Sequence, residues 1–422
     1  MNLAIALPPL RSILSVLLRH RLMPLLVIVQ IALACAILTN ALALLQRQLA
    51  PMLAPDGIAR SQLLLVDQLI LAQGRWQTAE VQATQQALRA IPGVRAVAPT
   101  MGLPMRQSMT FEVTGKSPTG VSVTATGFAG DGLVDTLGLE LVGGRDFTDD
   151  DYADTGPIFG EDNSNKVVPV IVTEALARRW FPKGGALGGY LQGDEGPKDD
   201  NAYVVVGVVR HLLRYQLSEL DDGKAEYSLL YPSRKFTGLP IMAYAVRVDP
   251  EHRVAVSRAI TALIEHRYAG RLMRGVPPVI NDYESLRNEA FKPRRAAVWL
   301  LGTVCAVVTV ITLIGIASLS GYWIEQRVRQ IGIRRALGAT RAQILAHFQF
   351  ENVLLTLFGL TLGLPLALAI NQLLMRYYEL PRLPLHWLPI GAGALLLIGQ
   401  LAVFGPARRA AAVPPAVATR SA

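Results

Sequence analysis

Five arginines lie between positions 327 and 341, and no aspartate or glutamate interrupts them. The planar guanidinium of arginine presents its N–H donors in a fixed fork that matches carboxylate and phosphate oxygens. The residues among them read I-G-I-R-R-A-L-G-A, a pattern typical of a short helix that ends at a glycine. Two partners suit such a segment: an acidic protein surface, or the headgroups of a membrane.

The basic stretch is flanked by apolar segments on both sides. The chain is 51% hydrophobic and only 17% charged, whereas soluble domains carry about a quarter charged residues. Windows of about 19 residues predict four membrane-spanning helices, each long enough for a hydrocarbon core of about 30 Å. The first is too long for the apolar core of a cleaved signal peptide, which favours a retained anchor. The predicted spans are 22–45, 296–321, 344–370 and 387–404.

Charge outside the spans predicts their orientation. Three segments are rich in arginine and contain one acidic residue among them, Glu325. Because such segments face the cytoplasm, the region 46–295 and the loop 371–386 are predicted to be periplasmic. Aromatic residues near the span ends are predicted to form an interfacial belt. The cytoplasmic segments are 1–21, expected to form an interfacial helix, 322–343 and the tail 405–422; the belt residues are Trp299, Tyr322, Trp323 and Trp387.

The region 46–295 has the pattern of a folded domain. It holds 28 basic and 29 acidic residues, so the net charge of +9 belongs to the other segments and does not indicate nucleic-acid binding. Alternating and β-branched runs such as TFEVTG, VSVTATGF and AYVVVGVV predict strands, and VAVSRAITALIEHRY predicts a helix. We predict a large α+β domain with two lobes and with loops at 146–166 and 192–201.

No pattern of catalytic, cofactor-binding or metal-binding residues is evident. The run TGKS at 114–117 lacks the first glycine of a P-loop and joins two predicted strands. Asp149, Asp150 and Asp151 are more typical of a solvated loop than of a cation site. Cys35 and Cys305 lie in predicted spans, so the outer domain has no disulfide. The chain is therefore predicted not to be an enzyme.

Four segments resemble the FtsX/MacB-type permeases of ABC transporters. The run 329–368, RQIGIRRALGATRAQILAHFQFENVLLTLFGLTLGLPLAL, is similar to the permease signature, although Gln330 stands where that family usually has glutamate. GLELVGGRDFTDDD and PVIVTEALARRWFP resemble the family's periplasmic core domain, and PARRAAAVPPAVATR resembles its closing segment. The segments follow the family's order over most of the chain.

The resemblance implies a cytoplasmic coupling element that docks on an ATPase. The sequence has no Walker motif, so ATP and magnesium are expected on a separate ATPase chain, with no cofactor bound here. Gly338 is predicted to end a helix, and Thr340 with Gln343 to start the next one. Lipid anchoring is the alternative role for this segment. The candidate coupling residues are Arg327, Val328, Arg329, Ile331, Gly332, Ile333, Arg334, Arg335, Ala336, Leu337, Gly338 and Ala339; within them Val328, Ile331, Ala336 and Leu337 are predicted to form an apolar face.

The third span contains polar residues and closely spaced glycines. Glu351 and Asn352 lie about two turns from its start, where a carboxylate needs a partner, and an arginine of the coupling segment is favoured over a role in proton transport. Gly359 and Gly363 form a G-x-x-x-G pattern that permits close helix packing, within the chain or between two copies.

These features predict the membrane subunit of an ABC transporter of the mechanotransmission type. It is expected in the bacterial inner membrane as a dimer with a second or sister permease, together with a periplasmic adaptor and an outer-membrane channel. Its activity is expected to be efflux of peptides, antibiotics or similar compounds. The alternatives are lipoprotein release, or regulation of a periplasmic enzyme such as a cell-wall hydrolase.

Overall fold

The computed structural model describes residues 22–106, 111–155, 167–193, 202–214, 224–236, 238–378 and 382–412. The chain forms two compact units, one from Met1–Leu49 with Arg294–Ala422 and the other from Ala50–Pro293. The predicted interfacial helix at 1–21 and the end of the predicted tail lie outside the described residues.

The described residues form eleven α-helices, numbered along the chain. Two of them border the basic stretch in the second predicted cytoplasmic segment, 322–343, and a short helix lies within it. The helices are α1 (Leu22–Leu53), α2 (Thr78–Arg89), α3 (Leu133–Leu137), α4 (Asp149–Asp154), α5 (Glu174–Trp180), α6 (Arg253–Arg267), α7 (Tyr283–Ala290), α8 (Lys292–Glu325), α9 (Val328–Ala336), α10 (Arg341–Tyr378) and α11 (Trp387–Ala412).

Four helices in the described part of the chain, α1, α8, α10 and α11, are long and apolar enough to cross a membrane. Each contains one predicted span and continues past at least one of its predicted ends, because a helix satisfies its own backbone hydrogen bonds beyond the hydrocarbon core. Half of the apolar window of α1 is buried inside the chain, against 11% for α8. The first span is therefore the central helix of its unit.

The Ala50–Pro293 unit is built on one 11-stranded sheet. Strands β4, β3, β7, β8, β6 and β9 pair in that order, and β9 pairs back onto β4, so these six strands close a ring. An open arm, β11-β1-β10-β2, extends from β4. The strands are β1 (Leu63–Ile70), β2 (Val94–Met101), β3 (Phe111–Lys116), β4 (Ser122–Gly130), β5 (Leu141–Gly144), β6 (Val167–Thr173), β7 (Tyr190–Gly193), β8 (Ala202–Val209), β9 (Ser228–Pro232), β10 (Ile241–Val248) and β11 (Val279–Asp282).

Helices and strands of this unit pack together in two apolar clusters, the larger of which contains residues of α2, α6, β2 and β10. Val81 of α2 and Ile260 of α6 are buried in the same cluster as Val97 of β2 and Val246 of β10. The expected α+β character is thus present, with an open arm and a ring as the two parts of one sheet. Residues 114–117 belong to β3 and the turn after it. The run therefore joins two strands, as predicted, and does not open a helix as a P-loop would.

The predicted loop at 146–166 contains a helix instead. Thr148 and Asp151 form a reciprocal capping box at the start of α4, and Asp151 also pairs with Arg145. Asp149 pairs with Arg234. Capping turned this acidic run into a helical turn, because carboxylates stabilise the N-terminus of a helix.

Candidate functional site

The basic segment folds as a short helix, α9, that ends at the predicted glycine. Gly338 has φ +98°, a left-handed conformation that favours glycine. Its amide donates to the Arg335 carbonyl at 3.1 Å, and the Ala339 amide donates to the Arg334 carbonyl at 3.0 Å. These two bonds form a Schellman motif, so the stop that the sequence predicted is confirmed.

The following helix starts with the predicted capping box. The Thr340 amide donates to Gln343 Oε1 at 2.9 Å, and the Gln343 amide donates to Thr340 Oγ1 at 3.2 Å. Two orphan donors at the start of α10 are thereby satisfied. The connection between α9 and α10 is consequently short and internally bonded.

One side of α9 is buried against its own unit. Ile331 is 5% exposed and belongs to an apolar cluster with Ile344 of α10 and Ala407 of α11. Gly332 is buried beside it. A helix packed in this way keeps a fixed orientation relative to α10 and α11.

The opposite side of α9 is exposed and combines charge with apolar surface. Arg329 and Arg334 are exposed, and so are Ile333, at 47%, and Leu337, at 83%. Side chains three or four residues apart lie on the same helix face, so these four residues form one surface. We call it the outer face of α9.

The predicted apolar face therefore needs correction. Ile331 faces the unit's own core, whereas Leu337 and Ala336 are exposed and Val328 is half-buried. Ile333, which was not assigned to that face, is on the outer side. The sequence pattern placed Val328, Ile331, Ala336 and Leu337 on one face, but the packing of α9 separates them.

The carboxylate of Glu351 is the centre of a buried polar cluster. It accepts hydrogen bonds from Arg327, at 3.2 and 3.3 Å, and from the Trp323 indole, at 3.1 Å. The Arg327 guanidinium also lies over the Trp323 ring, 3.9 Å from its centroid. The predicted pairing of Glu351 with an arginine of the coupling segment is confirmed, and the partner is Arg327.

The position of Trp323 contradicts its assignment to an interfacial belt. Its side chain is 8% exposed, and its indole N–H is used by Glu351. A buried carboxylate needs donors, and this need outweighs the usual preference of tryptophan for the membrane surface.

Asn352 is buried on another side of α10. It is 3% exposed, and its amide group has no hydrogen-bond partner within the described residues. A Cβ added to Gly399 of α11 would lie 3.1 Å from its Nδ2 atom. The close approach of α10 and α11 at this point depends on that glycine.

The two glycines of the G-x-x-x-G pattern pack against α1. A Cβ on Gly359 would lie 2.6 Å from Ile31, and one on Gly363 would lie 2.6 Å from Cys35. The sequence left open whether this pattern joins two copies or two helices of one chain. The structure shows the internal contact.

Two polar residues of α1, which sequence reasoning did not single out, bind the backbones of neighbouring helices. Gln30 donates to the Ile311 carbonyl at 3.2 Å, next to Gly315. Asn40 donates to the Ala367 carbonyl at 3.0 Å. Polar side chains inside an apolar span are the signal that would have identified them.

Among the described residues, no group of three or more His, Cys, Asp or Glu side chains is placed to hold a metal ion. The outer face of α9 is exposed, and the opposite side of the helix is held by buried contacts.

The comparisons with known proteins concern both units. Residues 302–415 match the model of the FtsX-like permease C-terminal domain. The ABC transporter permease YknZ of Bacillus subtilis is 24% identical over 340 residues, which cover 79% of this chain and 77% of that protein. The macrolide export ATP-binding/permease protein MacB of Nitrosomonas europaea is 29% identical over 276 residues, which cover 63% of this chain but only 40% of that protein.

Solved structures are similar as well. The periplasmic region of MacB from Actinobacillus actinomycetemcomitans aligns at a TM-score of 0.36 and 15% identity, over 58% of this chain and 98% of that one. The chain is a membrane protein, with a large domain outside the membrane; its residues 302–415 match the FtsX-like permease C-terminal domain, and it is similar to the ABC transporter permeases YknZ and MacB.

Proposed function

We propose that this chain is the permease subunit of an ABC transporter of the mechanotransmission type. In this proposal ATP and magnesium bind a separate ATPase, and α9 is the element on which that ATPase docks. Two permeases, two copies or a sister pair, and two ATPases make the working complex.

The observation that carries the proposal is the division of α9 into a buried side and an outer face. Guanidinium groups bind acidic side chains in two-pronged contacts, and exposed Ile333 and Leu337 supply apolar area beside Arg329 and Arg334.

The attachment of α9 supports a mechanical role. The Schellman motif, the capping box and the Arg327–Glu351 pair join the short helix to α10, and the Trp323 indole of α8 donates to the same Glu351 carboxylate. Movement of a docked ATPase would therefore shift α8 and α10 with α9 instead of being lost in a loose loop. By this proposal α8 carries the movement toward the Ala50–Pro293 unit in the periplasm, and the spans lie in the inner membrane.

Export is the activity that the relatives favour. Those named for macrolide and pyoverdine export match this chain over 63% of its length. We propose efflux of peptides, antibiotics or similar compounds with a periplasmic adaptor and an outer-membrane channel. Lipoprotein release and activation of a cell-wall hydrolase stay as alternatives, which differ in the protein or cargo that would co-purify.

The test is purification of the tagged chain with its ATP-binding subunit and measurement of ATP hydrolysis. Arg334→Glu with Arg335→Glu is expected to abolish co-purification, or to lower permease-dependent hydrolysis at least tenfold, because the reversed charges repel an acidic docking surface.

The matched control is Arg408→Glu with Arg409→Glu. It reverses two exposed arginines near the end of α11, on the same predicted side of the membrane. An unchanged complex for the control and a lost complex for the α9 variant support docking. If the two variants behave alike, the docking role is contradicted and lipid anchoring becomes the role of Arg334 and Arg335.

A further inference from the structure

The helices α1 and α8 lie side by side and run in opposite directions. Towards the end of α1, Arg294 at the start of α8 donates to the Arg47 carbonyl and to Gln48 Oε1, each at 3.5 Å. Near the start of α1, Val27 and Ser320, which lies close to the end of α8, line the same small cavity. The two helices are therefore in contact over most of their length.

A polar contact joins the two helices between these levels. Gln30 Nε2 of α1 donates to the Ile311 carbonyl at 3.2 Å and to the Thr312 carbonyl at 3.4 Å. An amide side chain inside an apolar span is costly unless it is hydrogen-bonded, so Gln30 depends on these partners on the neighbouring helix.

Gly315 makes the α8 backbone accessible to Gln30. In a helix the side chain of a residue leans toward the N-terminus and covers the turn before it. Ile311 lies four residues before Gly315, and glycine has no side chain that could cover the Ile311 carbonyl. A Cβ added to Gly315 would overlap the amide group of Gln30. The contact therefore depends on a glycine at this position of α8.

This dependence fixes the axial position of α8 on α1. A shift by one helical turn, about 5.4 Å, would bring Ile311 or Leu319 opposite Gln30 in place of Gly315. Either side chain would fill the space that the Gln30 amide occupies, and the amide would lose its partners inside the span. The glycines of α8 are Gly302, Gly315 and Gly321.

Apolar contacts hold α8 less firmly than they hold α1. Only 11% of the apolar window of α8 is buried inside the chain, against 50% for α1. Apolar contacts between helices have no hydrophobic driving force in lipid, because lipid tails are as apolar as the side chains. A polar contact that exists in one register only is therefore the feature that resists sliding of α8.

We propose that Gln30 and Gly315 form a register lock, which makes α1 and α8 move as one pair. The use of the lock rests on the proposed function, in which α8 carries movement away from α9. With the lock closed, a movement passed to α8 displaces α1 by the same amount instead of being lost by sliding. Gln30 is then a positioning residue for α8.

The test measures the register with a disulfide between the two helices. Cys35→Ala with Cys305→Ala removes both native thiols, and Val27→Cys with Ser320→Cys adds one thiol to each helix. The purified full chain in detergent, without any ATPase, is oxidised with copper phenanthroline. Mass spectrometry of the linked peptides gives the rate of cross-linking in this parent and in its variants.

Gly315→Ala opens the lock with the smallest change. The added methyl group displaces the Gln30 amide, and folding is not impaired because alanine is a better helix former than glycine. Cross-linking is expected to slow by about fivefold, the factor that corresponds to one interhelical hydrogen bond in lipid. Gly302→Ala is the matched control, since nothing lies within 4 Å of a Cβ at that position, and it should cross-link like the parent.

Gln30→Leu opens the lock from the other helix and is expected to slow cross-linking to the same extent. Its matched control is Gln46→Leu, the same substitution on the same helix. Gln46 accepts a hydrogen bond from the Trp387 indole of α11 and not from α8. This control should keep the rate of the parent.

A parent-like rate in either Gly315→Ala or Gln30→Leu would overturn the proposal. Equal slowing in the matched controls would overturn it as well, because any change in these helices would then loosen them. Since no ATPase takes part, a failure of ATPase docking at α9 would leave the cross-linking result unchanged, and the two proposals can fail separately.

Discussion

The guanidinium of Arg327 lies 3.2 Å from one carboxylate oxygen of Glu351 and 3.3 Å from the other. Only 14% of the arginine side chain and 4% of the glutamate side chain are exposed. The pair joins the linker before α9 to the third turn of α10, and the ring of Trp323 covers the guanidinium. The Glu351 carboxylate thus accepts from a buried guanidinium and a buried indole N–H at the start of α9.

Removal of one member of this pair is expected to be costly. Glu351→Ala leaves the Arg327 guanidinium buried without its counter-charge, and we expect the free energy of unfolding to fall by about 3 kcal/mol. Denaturation of the detergent-solubilised chain, followed by tryptophan fluorescence, measures this loss.

The double variant Glu351→Ala with Arg327→Met is the control for that prediction. It removes both charges and fills the volume with an apolar chain, so most of the lost stability should return. A double variant as unstable as the single one would mean that the pair does not stabilise this corner electrostatically.

The glycines of α10 are expected to be sensitive to added side chains. Gly363→Leu forces α10 away from α1, because even a Cβ would lie 2.6 Å from Cys35. In a Cys305→Ser background, Cys35 is the one remaining thiol, and it is fully buried. We expect its labelling by a membrane-permeant maleimide to accelerate at least tenfold.

Gly393→Leu on α11 is the matched change, since nothing lies within 4 Å of a Cβ at that position. It should leave the labelling rate of Cys35 near that of the parent. Similar acceleration in both variants would show that any bulky residue in the unit loosens it, and not the α1–α10 contact in particular.

Two isoleucines of α9 separate folding from docking. Ile331→Ala removes a buried side chain from the cluster with Ile344 and should lower the free energy of unfolding by about 2–4 kcal/mol. Ile333→Ala, at 47% exposed, should leave stability within about 0.5 kcal/mol but weaken binding of the ATP-binding subunit.

Unfolding and co-purification are measured on the same preparations. If Ile333→Ala loses stability as Ile331→Ala does, or if it binds the ATPase at wild-type strength, the outer face of α9 is not the docking surface.

The start of α4 should respond to acid. Hydrogen bonding to Arg145, helped by the Thr148 amide, holds the pKa of Asp151 below its ordinary value. A carboxyl with a lowered pKa stabilises the fold above its unfolded pKa, about 3.9, and loses this effect as pH falls through the folded pKa. Asp151→Asn should therefore speed amide hydrogen exchange in α4 at pH 7, and the difference from wild type should vanish in acid, once the pH is below the lowered pKa of Asp151.

Asp150→Asn tests whether charge alone matters in this turn. It removes the same charge and keeps the Arg145–Asp151 pair. Its exchange rate in α4 should stay close to wild type at both pH values. A difference for Asp151→Asn that persists unchanged in acid would exclude the ionised carboxylate as its cause.

Local features were readable from the amino-acid sequence. The four spans follow from runs of apolar residues, since a membrane helix satisfies its hydrogen bonds within itself. Gly338 as a helix stop and Thr340 with Gln343 as a helix start also depend only on residues within a few positions of one another. Such short-range signals do not require knowledge of neighbouring helices.

The strands of the Ala50–Pro293 unit show where prediction from short-range sequence patterns fails. Those with alternating or β-branched runs were predicted, whereas β1, β5, β7, β9 and β11 were not singled out. β11 has four half-buried residues, and β9 is buried throughout. Their existence depends on pairing with β1, β4 and β6, distant in sequence, and no local pattern encodes that partner.

Tertiary packing alone decided which residues meet at the candidate site. The sequence required a partner for Glu351 and offered several arginines; the turn between α8 and α9 brought Arg327 to it. The same turn buried Trp323 and directed Ile331 inward and Ile333 outward. The G-x-x-x-G pattern stated only that some helix could come close, and the central position of α1 made it the partner. Burial and charge compensation are properties of contacts between distant segments, so they are fixed when the helices assemble.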